Sequence, residues 1–94
     1  MPHVLVRHRV DDYSKWNAQL HRDADVRKFN GSIGGRVYRL ADDPHEVVTL
    51  IAWDRMDQAR DFMRSWDFRS LIEQAGQTEP LEVLLLDEVE GLLS

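Results

Sequence analysis

The chain has no cysteine, which removes a disulfide framework, a thiolate nucleophile and any sulfur-ligated metal from consideration. Stability must come from packing. Positive charge is also short: 12 Lys and Arg stand against 17 Asp and Glu, a formal net charge of -5. Nucleic-acid binders concentrate positive charge on one face, and no basic stripe occurs here, so a nucleic-acid partner is not expected. Long apolar runs are missing as well. The longest stretch, residues 81–86, is interrupted by Glu82 and is far shorter than the ~20 residues a spanning helix needs. Met1-Pro2-His3 leads straight into a strand pattern rather than a signal peptide. The composition therefore points to a cytoplasmic protein with no membrane partner.

What is present is enough for one core. Ninety-four residues with 43% hydrophobic content suit a single domain spanning residues 1–94. At this size a domain buries roughly 60 to 68% of its unfolded surface, so it gains from association.

Residues 3–10 alternate, with Val4, Val6, His8 and Val10 on one face and His3, Leu5, Arg7 and Arg9 on the other, the period of a strand. Asp11 or Asp12 then offers an N-cap. Tyr13, Trp16, Leu20, Ala24 and Arg27 recur at helical spacing through a segment without Gly or Pro that ends near Phe29. Asn30-Gly31 and Gly34-Gly35 break the pattern, and residues 36–40 read as a strand. Asp42-Asp43-Pro44-His45 has the residues of a tight turn into a third strand over 46–53.

The next segment carries two apolar faces. Met56, Ala59, Phe62, Met63 and Trp66 share one, and Phe68, Leu71, Ile72 and Ala75 share another. At about 100° per residue these faces oppose each other, so one straight helix cannot bury both. A break at 65–67 is predicted, with Asp67 capping a second short helix and Gly76 as its stop. Residues 81–88 form the last strand, and 91–94 a tail.

The order strand, helix, strand, strand, helix, strand is that of a ferredoxin-like α+β domain, a four-stranded antiparallel sheet with helices on one face. The third strand is nonetheless apolar on both sides, with Val47, Ile51 and Trp53 opposite Val48, Leu50 and Ala52, and the fourth sets Leu81, Val83 and Leu85 opposite Leu84 and Leu86. A solvated sheet face should be polar. The simplest cover is an identical sheet related by a two-fold axis, giving a homodimer.

Several stretches carry a resemblance: His8-x-Val10-x-Asp12-Tyr13-x-x-Trp16, Gly31-Ser32-x-Gly34-Gly35-Arg36-Val37-x-Arg39, Asp42-Asp43-Pro44-x-Glu46, Trp53-Asp54, Ala59-Arg60-x-Phe62 and Ala75-Gly76. Together they resemble small bacterial proteins of the dimeric α/β barrel superfamily, of the antibiotic biosynthesis monooxygenase-like or polyketide cyclase-like kind. The resemblance implies a ligand cavity in each subunit between helices and sheet, with the two sheets as the wall between subunits. It also implies cofactor-free oxidation of phenolic polycyclic substrates. Haem-degrading relatives need a histidine on the second helix and an asparagine on the first strand. Residues 56–75 contain no histidine and 3–10 no asparagine, so no cofactor is expected.

His8 is the sharpest catalytic candidate, an imidazole among valines able to take a proton near neutral pH; the plainer reading is a core histidine with a hydrogen-bonded neighbour. Tyr13 is a second proton acceptor and Arg39 an anion stabiliser. Arg27, at an inward helical position, and Arg39 both suit a phenolate or carboxylate ligand, and equally suit salt bridges with Asp23 or Glu46 as partners. Trp16, Trp53, Phe62 and Trp66 are candidate walls for a small aromatic ligand, and all four also suit core packing. His3 and His8 point to opposite sheet faces and cannot share a metal, so no metal site is expected. Gly31 to Gly35 leads into a strand and lacks the Lys-Ser/Thr of a phosphate loop. The reading that competes with an enzyme is a non-catalytic homodimer that binds a small apolar ligand or serves as an interaction module.

Overall fold

Alternation in residues 2–9 produces the first strand, β1 (Pro2–Arg9), in the computed structural model, which describes residues 1–77 and 80–94. The remaining elements are α1 (Tyr13–Arg22), α2 (Ala24–Phe29), β2 (Ser32–Leu40), β3 (Asp43–Trp53), α3 (Met56–Met63), α4 (Trp66–Gln74) and β4 (Glu82–Asp87). The four strands form one antiparallel sheet in the order β2-β3-β1-β4. This is the ferredoxin-like α+β plan expected from the strand and helix order.

The helical segment after β1 starts where its cap was expected. The Asp12 side chain accepts from the Lys15 N–H at 3.2 Å, satisfying one of the amides that a helix start leaves unpaired. The segment is not one unbroken helix to Phe29, because it is interrupted at Asp23. There the Gln19 amide draws the Asp23 carboxylate at 2.6 Å, while backbone bonds from Asp23 to Gln19 and from Arg27 to Asp23 carry the chain across the interruption. Gly31 ends α2 with φ of +103°, and a Cβ at that position would run into the Gln58 side-chain amide. Gln58 is held there because it accepts from the Arg55 N–H at 3.0 Å and so caps α3.

Three further features differ from the sequence reading by more than a one-residue shift of an element's end. β2 begins at Ser32 instead of residue 36, because the register shifts between Ser32 and Gly34, and Gly34 takes φ of +122°, letting the strand continue through a bulge. The turn expected at 42–45 lies at 41–42, so that Pro44 falls at the start of β3, where a missing N–H is tolerated. The break between α3 and α4 lies where two opposed apolar faces demanded it, but its cap is Ser65 and not Asp67. The Ser65 hydroxyl accepts from the Phe68 N–H at 3.1 Å and donates to the Phe62 carbonyl at 2.6 Å. Asp67 is buried and turned inward.

Helices cover one side of the sheet. Val4, Val6, Val47, Ile51 and Trp53 project from it and meet Trp16, Leu20, Ala59, Phe62, Leu71 and Ile72 in one core. The other side is left open. There Leu5 stands opposite Leu50 on β3 and Leu84 on β4, with Val48 and Ala52 in the neighbouring rows, and Tyr38, Leu84 and Leu86 are exposed. Polar groups collect toward one end of this face, where Arg7 pairs with Glu46 and Arg9 with Asp43. Glu46 is thus Arg7's partner, in place of the Arg39 pairing the sequence offered. Among the described residues no helix is long and apolar enough to cross a membrane.

Candidate small-molecule site

The three candidate catalytic residues form one chain of contacts. His8 and Arg39 both stand opposite Val47, from the two strands flanking β3. The His8 ring meets Trp16 edge-on at 5.2 Å, Trp16 lies 5.8 Å from Tyr13, and the Arg39 guanidinium sits over the Tyr13 ring at 5.1 Å. Arg39 is therefore held by an aromatic face. The Tyr13 hydroxyl accepts from the Asn17 amide at 3.4 Å at the surface.

His8 is only 1% exposed, and neither ring nitrogen has a hydrogen-bond partner. Burial without a partner penalises the charged ring, so its pKa falls from 6.5 to about 4. At neutral pH His8 is a neutral, shut-in imidazole and a weak base. Its sign in the stability is fixed. The unfolded chain binds the proton more readily, so the contribution is complete above about pH 6.5 and is lost as pH falls toward 4, by at most about 3 kcal/mol. His8→Leu should flatten this acid limb in denaturant titrations between pH 7 and 4. An unchanged limb would show that the ring is not buried neutral.

Open space lies elsewhere. A cavity of about 540 Å³, broadly open to solvent, lies between α2, α3, α4 and the end of β3, and its lining includes Arg27, Trp53, Phe62, Trp66 and Asp67. Trp53 is 1% exposed and its indole N–H is unpartnered; Phe62 packs on it at 5.0 Å. Trp66 (69% exposed) and Phe29 (90% exposed) stand at the mouth. Three of the four expected ligand-binding aromatics, Trp53, Phe62 and Trp66, thus share one cavity. Trp16 is packed against His8 and, like His8, Tyr13 and Arg39, is not part of this lining.

Of the polar heart of the cavity the sequence pointed to Arg27, as an inward guanidinium, and not to Asp67. Arg27 of α2 and Asp67 of α4, forty residues apart, form a buried ion pair at 3.1 Å. Arg27 also donates to the Leu20 carbonyl. It pairs with Asp67 rather than with Asp23, its suggested partner. Burial raises the Asp67 pKa, Arg27 opposes that shift, and the nearby Asp23 carboxyl adds to it. The pair combines an anion-binding guanidinium with a carboxylate inclined to hold a proton. The one signal that could have found it is an arginine on the inward stripe of a helix.

A second cleft of about 520 Å³ opens on the other side of Arg27, between α1, α2 and the β2–β3 half of the sheet, and Leu20, Lys28, Gly35, Val37, Thr49 and Ile51 are among the residues that line it.

No family model matches the sequence, and no curated protein matches it. Solved structures do share the fold. A Bordetella bronchiseptica protein provisionally named an antibiotic biosynthesis monooxygenase superimposes with a TM-score of 0.72 at 19% identity, covering 95% of this chain and 97% of that one. A Mycobacterium tuberculosis protein gives 0.68 at 20% identity over 96% of each chain. A Chloroflexus aurantiacus protein, also provisionally named an antibiotic biosynthesis monooxygenase, gives 0.66 at 15% identity, covering 97% and 95%. At these identities the likeness is one of fold. It agrees with the ferredoxin-like architecture.

Proposed function

We propose that this chain binds a planar aromatic or polyketide-like small molecule in the cavity walled by Trp53, Phe62 and Trp66, acting as a cofactor-independent enzyme of the monooxygenase or cyclase kind. The observation that carries this reading is the Arg27–Asp67 pair, buried at 3.1 Å in the wall of an aromatic cavity. Aromatic faces hold a flat ligand by stacking and area burial, and the pair gives the site polar chemistry. A phenol with its hydroxyl toward the pair passes its proton to the Asp67 carboxylate, leaving a phenolate that Arg27 stabilises. The electron-rich phenolate is the form that reacts with molecular oxygen or closes on an electrophile of the same molecule. Proton transfer of this kind is worth typically about 10² to 10⁴ in rate. The fold shared with proteins named antibiotic biosynthesis monooxygenases supports the general kind.

His8, Tyr13 and Arg39 belong to this proposal in a different role from the one the sequence suggested. They support the sheet beside the cavity, and the proton-accepting part moves to Asp67. A non-catalytic binding module is the second reading, favoured by the seclusion of His8 from solvent and from hydrogen-bond partners.

The protein acts as a homodimer in this proposal, with the open sheet face as the contact. Calorimetric titration with 2-naphthol is the test. Saturable binding that weakens tenfold or more in Trp66→Ala is expected. In Asp67→Asn, binding should persist while any turnover of the phenol is lost. Full turnover in Asp67→Asn would remove its assigned role, and no binding by planar phenols would remove the proposal.

A further inference from the structure

Beyond the aromatic cavity, we propose that the cleft between α2 and the β2–β3 half of the sheet is a second binding site, for an apolar carboxylic acid that carries a hydroxyl or keto group. The reasoning starts from Thr49. It projects from β3 on the helix side, in line with Val47, Ile51 and Trp53, and stands opposite Val6 and Val37 on the flanking strands. Its side chain is 3% exposed and its hydroxyl has no hydrogen-bond partner. Valine has the same shape without the unmet hydroxyl, and a buried polar group left unpaired is destabilising. Thr49 is one of the residues that line the cleft, so a ligand seated there can bring a polar atom to its unmet hydroxyl.

The rest of the lining defines the remaining chemistry. Leu20, Val37 and Ile51 supply an apolar floor. Gly34 and Gly35 contribute no side chain, which keeps the β2 wall low and the cleft open. No Asp or Glu lines it, although the chain as a whole has 17 acidic against 12 basic residues. Lys28 lines it and makes no ion pair among the described residues, and Arg27 forms the wall behind. A carboxylate at Lys28, an apolar body over the floor and a polar atom at Thr49 satisfy each of these groups. The site is separate from the aromatic cavity, with Arg27 as the partition that lines both.

The test is equilibrium binding of 10-hydroxydecanoate, an aliphatic acid with no flat ring for the aromatic cavity to stack on, with decanoate as the analogue lacking the hydroxyl. Tenfold or greater weakening is expected in Lys28→Glu, an exposed position that leaves the core intact. Thr49→Val should weaken the hydroxylated ligand about tenfold, leave decanoate unchanged, and raise the melting temperature of the free protein. Trp66→Ala should change neither affinity more than twofold. Three results would overturn the proposal: no saturable binding, equal affinities in wild type, Lys28→Glu and Thr49→Val, or loss of binding in Trp66→Ala, which would place the ligand in the aromatic cavity.

Discussion

Leu5→Arg should turn the homodimer proposed above into a folded monomer. Leu5 occupies the middle of the open sheet face, between Leu50 and Leu84, and in a two-fold interface each substitution acts twice. In the monomer an arginine there extends into water at little expense, since the core lies on the opposite side of the sheet. In the dimer two guanidiniums are buried without partners, a penalty of several kcal/mol. A dissociation constant raised by about 10³ or more corresponds to ~4 kcal/mol. Light scattering across a concentration series reads this directly. The wild type should run at twice the 11.0 kDa chain mass, and Leu5→Arg at the chain mass with an unchanged far-ultraviolet circular dichroism spectrum. A wild type that stays monomeric at every concentration contradicts the dimer.

Arg27→Met should be the most destabilising single substitution at the site. It removes the guanidinium that faces Asp67 at 3.1 Å and leaves a buried carboxylate with no counter-charge, which costs about 3 to 5 kcal/mol. For a domain of this size that lowers the melting temperature by roughly 15 °C or more. The loss has a pH signature. Burial already raises the Asp67 pKa, and without Arg27 the carboxyl takes up a proton still more readily, so the deficit should shrink as the solution is acidified. Arg27→Met combined with Asp67→Leu should recover most of the stability at neutral pH, because it leaves no unpaired charge. Equal losses in the single and double variants would show that packing of the arginine stem, and not the charge pair, holds α2 to α4.

These two residues also mark the limit of what the sequence discloses. Periodicity fixed β1, the inward stripe of α1, the break between α3 and α4 and the doubly apolar strands, because each is a pattern among near neighbours. The Arg27–Asp67 pair joins residues forty positions apart; an arginine on an inward helical stripe is a local signal, but nothing near it in the chain points to Asp67 as its partner. Asp67, two residues into α4, has the look of a cap, whereas the structure gives the cap to Ser65 and sends Asp67 inward. Thr49 likewise reads as an ordinary strand former, and only its burial without a partner distinguishes it. His8 was conspicuous as a lone imidazole among valines, and the structure explains why that pattern misleads: the same apolar neighbours that draw attention to it depress its basicity. The aromatic residues fared differently. Trp53, Phe62 and Trp66 stood out by size and position at element ends, and they converge because β3, α3 and α4 meet there.

The most direct test of the aromatic cavity is a titration of the ¹⁵N-labelled protein with 2-naphthol, observed at the three tryptophan indole N–H signals. Trp53 lines the cavity and its N–H is buried and unpartnered, so its proton resonance should move downfield as a phenolic oxygen accepts from it. Trp66 at the mouth should shift by ring current, and Trp16, packed on His8, should stay in place. Movement of Trp16 with Trp53 and Trp66 unchanged would contradict the account.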